Sequence, residues 1–244
     1  MATKAKPSTA VAVKPASAGN IVSIKEALKA QALAMAGRTA PASGSAIRLS
    51  PGKFTLPDGT TSPGPLELVI VDFTSKNAFY PGAYDPKNIA APVCFSIGND
   101  IKTMAPSKNA PEPQAVSCAE CPMNQFGSSG DGKACKNTRV MAVLPPDADA
   151  DTPLWLLATS PTANKGFDGH VGAVARIFEM PPIGVVTDVS LDSATTYAKL
   201  VFGNPQPNPN IGAHFGRQEE AKAMLAVEPD VSGYVKAKPK ARGR

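Results

Sequence analysis

Residues 139–180 read RVMAVLPPDADADTPLWLLATSPTANKGFDGHVGAVARIFEM, and their pattern decides the fold class. Two short apolar runs, RVMAVL (139–144) and LWLLAT (154–159), are bounded by Pro, Asp and Thr, the punctuation expected of strands. After them Phe167, Val171, Val174 and Phe178 recur at three- and four-residue steps, so one amphipathic helix follows over 164–180. Working outward, LELVIVDF (66–73), VCFSI (93–97), VVTDVSL (185–191) and YAKLVF (197–202) are apolar or alternating runs of the same kind. A second helix is predicted over 217–227, RQEEAKAMLAV, after the turn-rich NPQPNPNIG. Six strands with a single internal helix predict a mainly β fold, an OB-like, partly closed antiparallel barrel with flanking helices. A β-sandwich is the alternative, because strand order is not written in the pattern.

The rest of the chain divides around that core. Residues 1–19 are Ala, Lys, Pro, Ser and Val without period and read as a disordered basic arm. Residues 20–46 read as a helix and linker. Ser23 and Glu26 have capping-box spacing, Ala-rich propensity carries the helix to about Ala36, and Gly37 caps it. Its apolar positions Ile21, Ile24, Leu28 and Met35 form a thin stripe that would pack on the body or, as the alternative, on a partner. The β domain spans 47–212, with a four-cysteine insertion at 94–139. A C-terminal helix occupies 213–235 and a disordered basic tail 236–244.

Composition narrows the function. The chain has 244 residues, of which 43% are apolar and only 6% aromatic. No apolar run approaches the roughly 18 residues of a membrane helix, and the N-terminus lacks the apolar core of a secretory signal. A membrane or secreted protein is not expected. Proline (25) and glycine (20) make about 18% of the chain against roughly 12% on average, so loops are abundant. The net charge is +5, but the arm contributes +3 and the tail KAKPKARGR contributes +5, leaving 20–235 at −3. Such tails attract polyanions or simply solubilise an end.

The sharpest signal is cysteine spacing. Cys94, Cys118, Cys121 and Cys135 form C-x23-C-x2-C-x13-C around the knuckle CAEC. A CxxC turn projects two thiolates from one tight loop, and four cysteines are a common structural zinc set. The intervening segments are polar and loop-rich, so a metal would supply stability that a core does not. Zinc is the expected cofactor, and an iron–sulfur cluster needs the same ligand count. Two disulfides or four unrelated thiols complete the alternatives. Catalysis is not expected: the chain has no GxSxG, P-loop or dinucleotide fingerprint, and its two histidines are far apart in sequence. His170 reads as a surface or satisfied histidine rather than a base. The acidic turn at Asp147, Asp149 and Asp151 lacks the glycine and terminal glutamate of an EF-hand.

Binding is what remains. On a nucleic-acid-binding sheet, bases stack on aromatics while Lys and Arg follow the phosphates. The aromatic candidates are Phe73, Phe79, Tyr80, Tyr84, Phe95, Phe126, Trp155 and Tyr197. Tyr80 and Tyr84 lie in a turn suited to exposure, whereas Phe73 and Trp155 sit in apolar strands and favour the core. Phe126 follows the knuckle, and Lys133, Lys136 and Arg139 flank Cys135, giving the best basic patch of the body.

The stretch from VCFSIGND through PQAVSCAECPMNQFGSSGDGKACKNTRVMAVLP resembles a four-cysteine segment of bacteriophage replication and recombination proteins. TSPTANKGF, VVTDVSLD and YAKLVF resemble its continuation, so the likeness covers about 94–202. The general layout is similar to phage single-stranded DNA-binding proteins with an OB barrel. The resemblance implies ssDNA coating in the cytoplasm of the infected host cell, with the four cysteines as ligands. Phage replication proteins and further copies of the chain are the other partners considered, and no membrane association is expected. The basic KAKPKARGR departs from the acidic tail usual in such proteins. Two other readings stand beside it: a phage virion or assembly protein with a structural zinc loop, and an iron–sulfur accessory factor.

Overall fold

The computed structural model describes residues 45–82, 90–232 and 234. The predicted arm, the helix from Ser23 to Ala36, nearly all of the linker and the basic tail lie outside the described residues.

The strand β4 (Leu66–Phe79) organises the molecule. One of its edges pairs with β6 (Cys135–Leu144) from Val69 to Phe79. Its other edge is shared: β8 (Val185–Leu191) pairs with its first residues, Leu66–Leu68, and β5 (Cys94–Gly98) with its last, Ser75–Phe79. The sheet is completed by β7 (Trp155–Ala158) beside β6 and β9 (Leu200–Pro207) beside β8. All these pairings are antiparallel. A separate three-stranded sheet holds β1 (Arg48–Ser50), β2 (Lys53–Thr55) and β3 (Thr61–Ser62).

The expected mainly β, antiparallel architecture is present, but the sheet is not a closed barrel. Its order is β7-β6-β4-β8-β9, with β5 branching from β4, so β7 and β9 end it at separate edges. The β7 edge is covered at Leu156, whose backbone bonds Ser45 and Ile47. The β9 edge carries Pro205 and Pro207, which cannot donate to a further strand.

Both faces of the sheet are buried, which is why β4 begins as a nearly continuous apolar run. Leu68 and Ile70 join Met141 and Val143 in the cluster beneath α1 (Asn164–Phe178). Val69 and Val71 join Ala142 and Leu144 in the opposite cluster beneath α3 (Gln218–Leu225). Phe167 anchors α1, with its ring centroid 5.0 Å from Phe73 and 5.1 Å from Phe202, both edge-on. Burying such a ring contributes about 1.5–3 kcal/mol. The C-terminal helix foreseen over 213–235 is shorter and split, with α2 (Ile211–Phe215) ending at Gly216 before α3 begins.

A bulge between Ile70 and Asp72 changes the parity of β4. From there on, the odd positions Phe73, Ser75, Asn77 and Phe79 share the α1 face. The even positions Thr74, Lys76 and Ala78 share the α3 face. This switch puts two different surfaces back to back at the end of the sheet.

Candidate metal and nucleic-acid site

The first surface is built around Phe79. Cys94 of β5 is its register partner on one side and Cys135 of β6 on the other. Directly paired residues point to the same face of an antiparallel sheet, so both thiols flank Phe79 on one face. Two positions back, the same register aligns Ser96, Asn77 and Asn137, and Asn137 Nδ2 donates to Asn77 Oδ1 at 2.7 Å.

The segment between β5 and β6 folds over this row. Its backbone reaches β5 through Ser107 N to Phe95 O (2.8 Å) and Glu112 N to Val93 O (2.7 Å). The CAEC turn is stapled by its own sequel. Asn124 Nδ2 donates to Cys118 O at 2.7 Å, and Gln125 Nε2 donates to Ala119 O at 2.8 Å. The Cys118 thiol is buried and donates to Ser96 Oγ at 3.3 Å. Beyond the knuckle the chain turns back through Gly127 (φ 87°) and Gly130 (φ 57°), left-handed positions that explain the glycines of FGSSGDG.

The four cysteines therefore converge. All of them line one cavity of about 10 Å³, together with Asn77, Phe79, Ser96 and Asn124. That is close to the smallest space that holds a single water-sized particle. Among the described residues, however, no three His, Cys, Asp or Glu side chains are clustered closely enough to grip an ion as they stand. The two facts differ in weight. A thiol rotates among staggered wells about χ1, whereas no rotation brings the backbones of three separate segments to one cavity. Electrostatics bear on the same point. Burial, with the neighbouring Cys118, Cys121 and Cys94 thiols, pushes Cys135 up to about 12. Burial also raises Cys94. Cys94 and Cys135 in these environments favour the protonated thiol unless a cation compensates them.

The second surface lies on the other face of the same strands. Lys76, Ala78 and Tyr80 line a groove of about 330 Å³ with Phe95 and Ile97 of β5 and Lys136 and Thr138 of β6. Val227, Glu228 and Pro229, just after α3, form another part of its wall. Tyr80 is 41% exposed and Lys136 is exposed. Burial raises the Tyr80 hydroxyl and lowers Lys76.

The expected nucleic-acid residues thus fall into groups. Tyr80 and Lys136 share the groove. Phe126 is 80% exposed on the knuckle loop, with Lys133 Nζ 5.1 Å from its ring centroid. Tyr84 lies outside the described residues. Arg139 does not join the patch: it is buried on the α1 face, with Nε 3.0 Å from Asp168 Oδ1 and Nη2 2.8 Å from Asp168 Oδ2. Its odd position turns it away from Lys136. Trp155 is partly buried against the core cluster, as is Phe73. Phe79 lines the cysteine cavity, Phe95 is buried, and Tyr197 is half-exposed. His170 is buried and satisfied, with Nε2 3.0 Å from Thr187 Oγ1.

Sequence reasoning missed Lys76 and Thr138. Ending the strand at Phe73 hid them, although period-two counting through TSKNAFY places Lys76 with Tyr80. No protein-family model matches the chain, and no curated protein or solved structure matches it. Among the described residues, no helix is long and apolar enough to cross a membrane.

Proposed function

We propose that this chain is a non-enzymatic single-stranded DNA-binding protein of phage replication or recombination, with a structural zinc ion held by Cys94, Cys118, Cys121 and Cys135. The observation that carries the binding role is the groove, where the exposed Tyr80 lies together with Lys76 and Lys136. Its volume falls within the range of about 300–1,000 Å³ typical of small-ligand sites, enough for a base with part of its backbone. An OB-like role does not require closure of the barrel. It requires a sheet face on which bases stack on aromatics while cations follow the phosphates. Phe126 with Lys133 offers a second stacking station on the knuckle loop, and the sequence of the tail adds five cations.

The metal reading rests on the donor set and its convergence. Four thiolates would close the tetrahedral shell of a zinc ion, which would then supply a cross-link rather than a reactive position. Cys94 and Cys135 lie on the two strands that flank β4, one on either side of Phe79. An ion shared with the knuckle would therefore tie β5, β6 and the intervening loop into one unit.

Fluorescence anisotropy with a labelled oligothymidine, against duplex competitor and across a salt series, tests the binding role on the full chain. Binding that survives duplex excess is the expected result. Binding that duplex competes away equally would reduce the role to polyanion attraction by the tails.

A further inference from the structure

The wall of the groove formed by Val227–Pro229 is attached differently from the strands. Lys76 Nζ donates to the carbonyl oxygen of Val227 at 2.8 Å. The Glu228 carboxylate takes one bond from Ser107 Oγ at 2.6 Å and another from Asn109 Nδ2 at 2.7 Å. These bonds are all exposed, and the Val227 side chain itself is 64% exposed, so little apolar burial holds the segment down. Beyond it, Tyr234 Oη donates to Glu112 Oε1 at 2.6 Å, and Glu112 N in turn donates to Val93 O just before β5. The segment is thus a short strap, tied at both ends and held in the middle by polar contacts.

Lys76 is the decisive group. It is half-buried on the groove face between Ile97 and Thr138, its register partners, and its ammonium is spent on a neutral carbonyl. A phosphate oxygen is a stronger acceptor for an ammonium than a carbonyl is, because both partners are then charged. Glu228 also lines the groove, so the strap adds an acidic residue to the wall that carries Lys76 and Lys136.

We propose that Lys76 is the phosphate-binding residue of the groove, and that Val227–Pro229 is a strap it releases when a single strand enters. This inference rests on the ssDNA-binding reading above. In the free protein the strap occupies the Lys76 ammonium. In the bound state the carbonyl of Val227 returns to water, Glu228 leaves Ser107 and Asn109, and Lys76 turns to the strand. The bond of Tyr234 to Glu112 stays in place and tethers the displaced strap beside the groove. Freeing the strap therefore strengthens binding, while removing Lys76 weakens it.

The test uses the full chain and a labelled oligothymidine in three variants. Glu228→Ala removes both tethers, whereas Glu228→Gln removes the charge but keeps an acceptor for Ser107 or Asn109. Glu228→Ala is expected to bind about three- to tenfold more tightly than Glu228→Gln at the same salt. Lys76→Ala is expected to weaken binding and to reduce the salt slope by about 0.7, the share of one phosphate contact on a single strand. Hydrogen exchange of residues 226–234 should accelerate when the oligonucleotide is added. Equal affinities for the two Glu228 variants, with the parent still binding, would overturn the strap and leave the binding function standing. An unchanged salt slope in Lys76→Ala would overturn the phosphate role. A parent that does not bind the oligonucleotide would remove the function and this inference together.

Discussion

Replacing Cys118 with Ser separates a metal site from four idle thiols, because the two cases differ in size. Cys118 is buried, donates to Ser96 Oγ at 3.3 Å, and lies in a segment whose buried apolar anchors are few, Met104 and Ala110 among them. Serine is nearly the same shape and can donate to the same hydroxyl. With no metal, the change therefore costs about 1 kcal/mol, in line with one altered buried hydrogen bond. For a domain of this size that corresponds to a Tm shift of about 2–4 °C. If the cysteines hold zinc, losing one of four thiolates removes much of a binding free energy that reaches about 10–16 kcal/mol in small zinc domains. The Tm should then fall by well over 10 °C, or the segment 99–134 should melt on its own. The assay pairs metal analysis of the purified chain with differential scanning calorimetry. The expected result is about one zinc per parent chain and far less in the variant, with proteolytic cleavage appearing between β5 and β6. A parent free of metal, with a variant within a few degrees of it, would refute the ligand assignment. A brown parent containing iron would replace zinc by a cluster on the same four ligands.

Phe126→Ala should weaken ssDNA affinity by about 1–3 kcal/mol, read by anisotropy, because its ring is 80% exposed; unchanged affinity would return it to the loop's own structure. Asp168→Asn should lower stability by about 1–2 kcal/mol in denaturant titration, since Asp168 is itself half-exposed while Arg139 is buried, and should leave ssDNA affinity unchanged. Burial lowers the pKa of His170 below its ordinary value, so the unfolded chain takes up the proton first as pH falls. The stability His170 contributes is complete above about pH 6.5 and declines below it, and the drop in Tm from pH 7 to pH 5 should be smaller in His170→Gln. A parent and variant with parallel pH profiles would show that His170 is not the titrating group. Chelation by EDTA should weaken ssDNA binding by the parent, because the cavity and the groove share Asn77, Phe95 and Ser96; unaltered binding after metal loss would uncouple the two faces.

How much of this was legible follows from where pattern and packing agree. The run VVTDVSL became β8 with the same bounds, because a strand paired on both edges and packed on its faces announces itself by composition. LELVIVDF was half of its strand. The continuation TSKNAF has little β propensity and is held extended by β5 and β6 on either side, which no local signal records. YAKLVF similarly gave the start of β9, whose prolines are tolerable only because it is an edge. The cysteine spacing pointed to one site, and the structure brings all four to one cavity. Arg139 misled for the opposite reason: adjacency to Cys135 and Lys136 along the chain suggested a patch. The strand period sends Lys136 to the groove and Arg139 to Asp168 beneath α1.

The bulge at Ile70 to Asp72 ties these observations to function. Without it, β4 would carry its even positions on the α1 face to the end of the strand. Lys76 would then face the cysteines, and Asn77 and Phe79 would face the strap. With it, one strand end serves two environments: a buried polar and thiol row on one side, and a groove with lysines and a tyrosine on the other. Neither surface is complete on β4 alone, since each takes its flanks from β5 and β6. The segment 99–134 joins those two strands and carries Cys118 and Cys121 between them. A cross-link at the cysteines therefore acts on the same strand spacing that sets the width of the groove. If the cysteines hold an ion and the groove holds a single strand, that shared spacing makes metal content and ssDNA affinity change together.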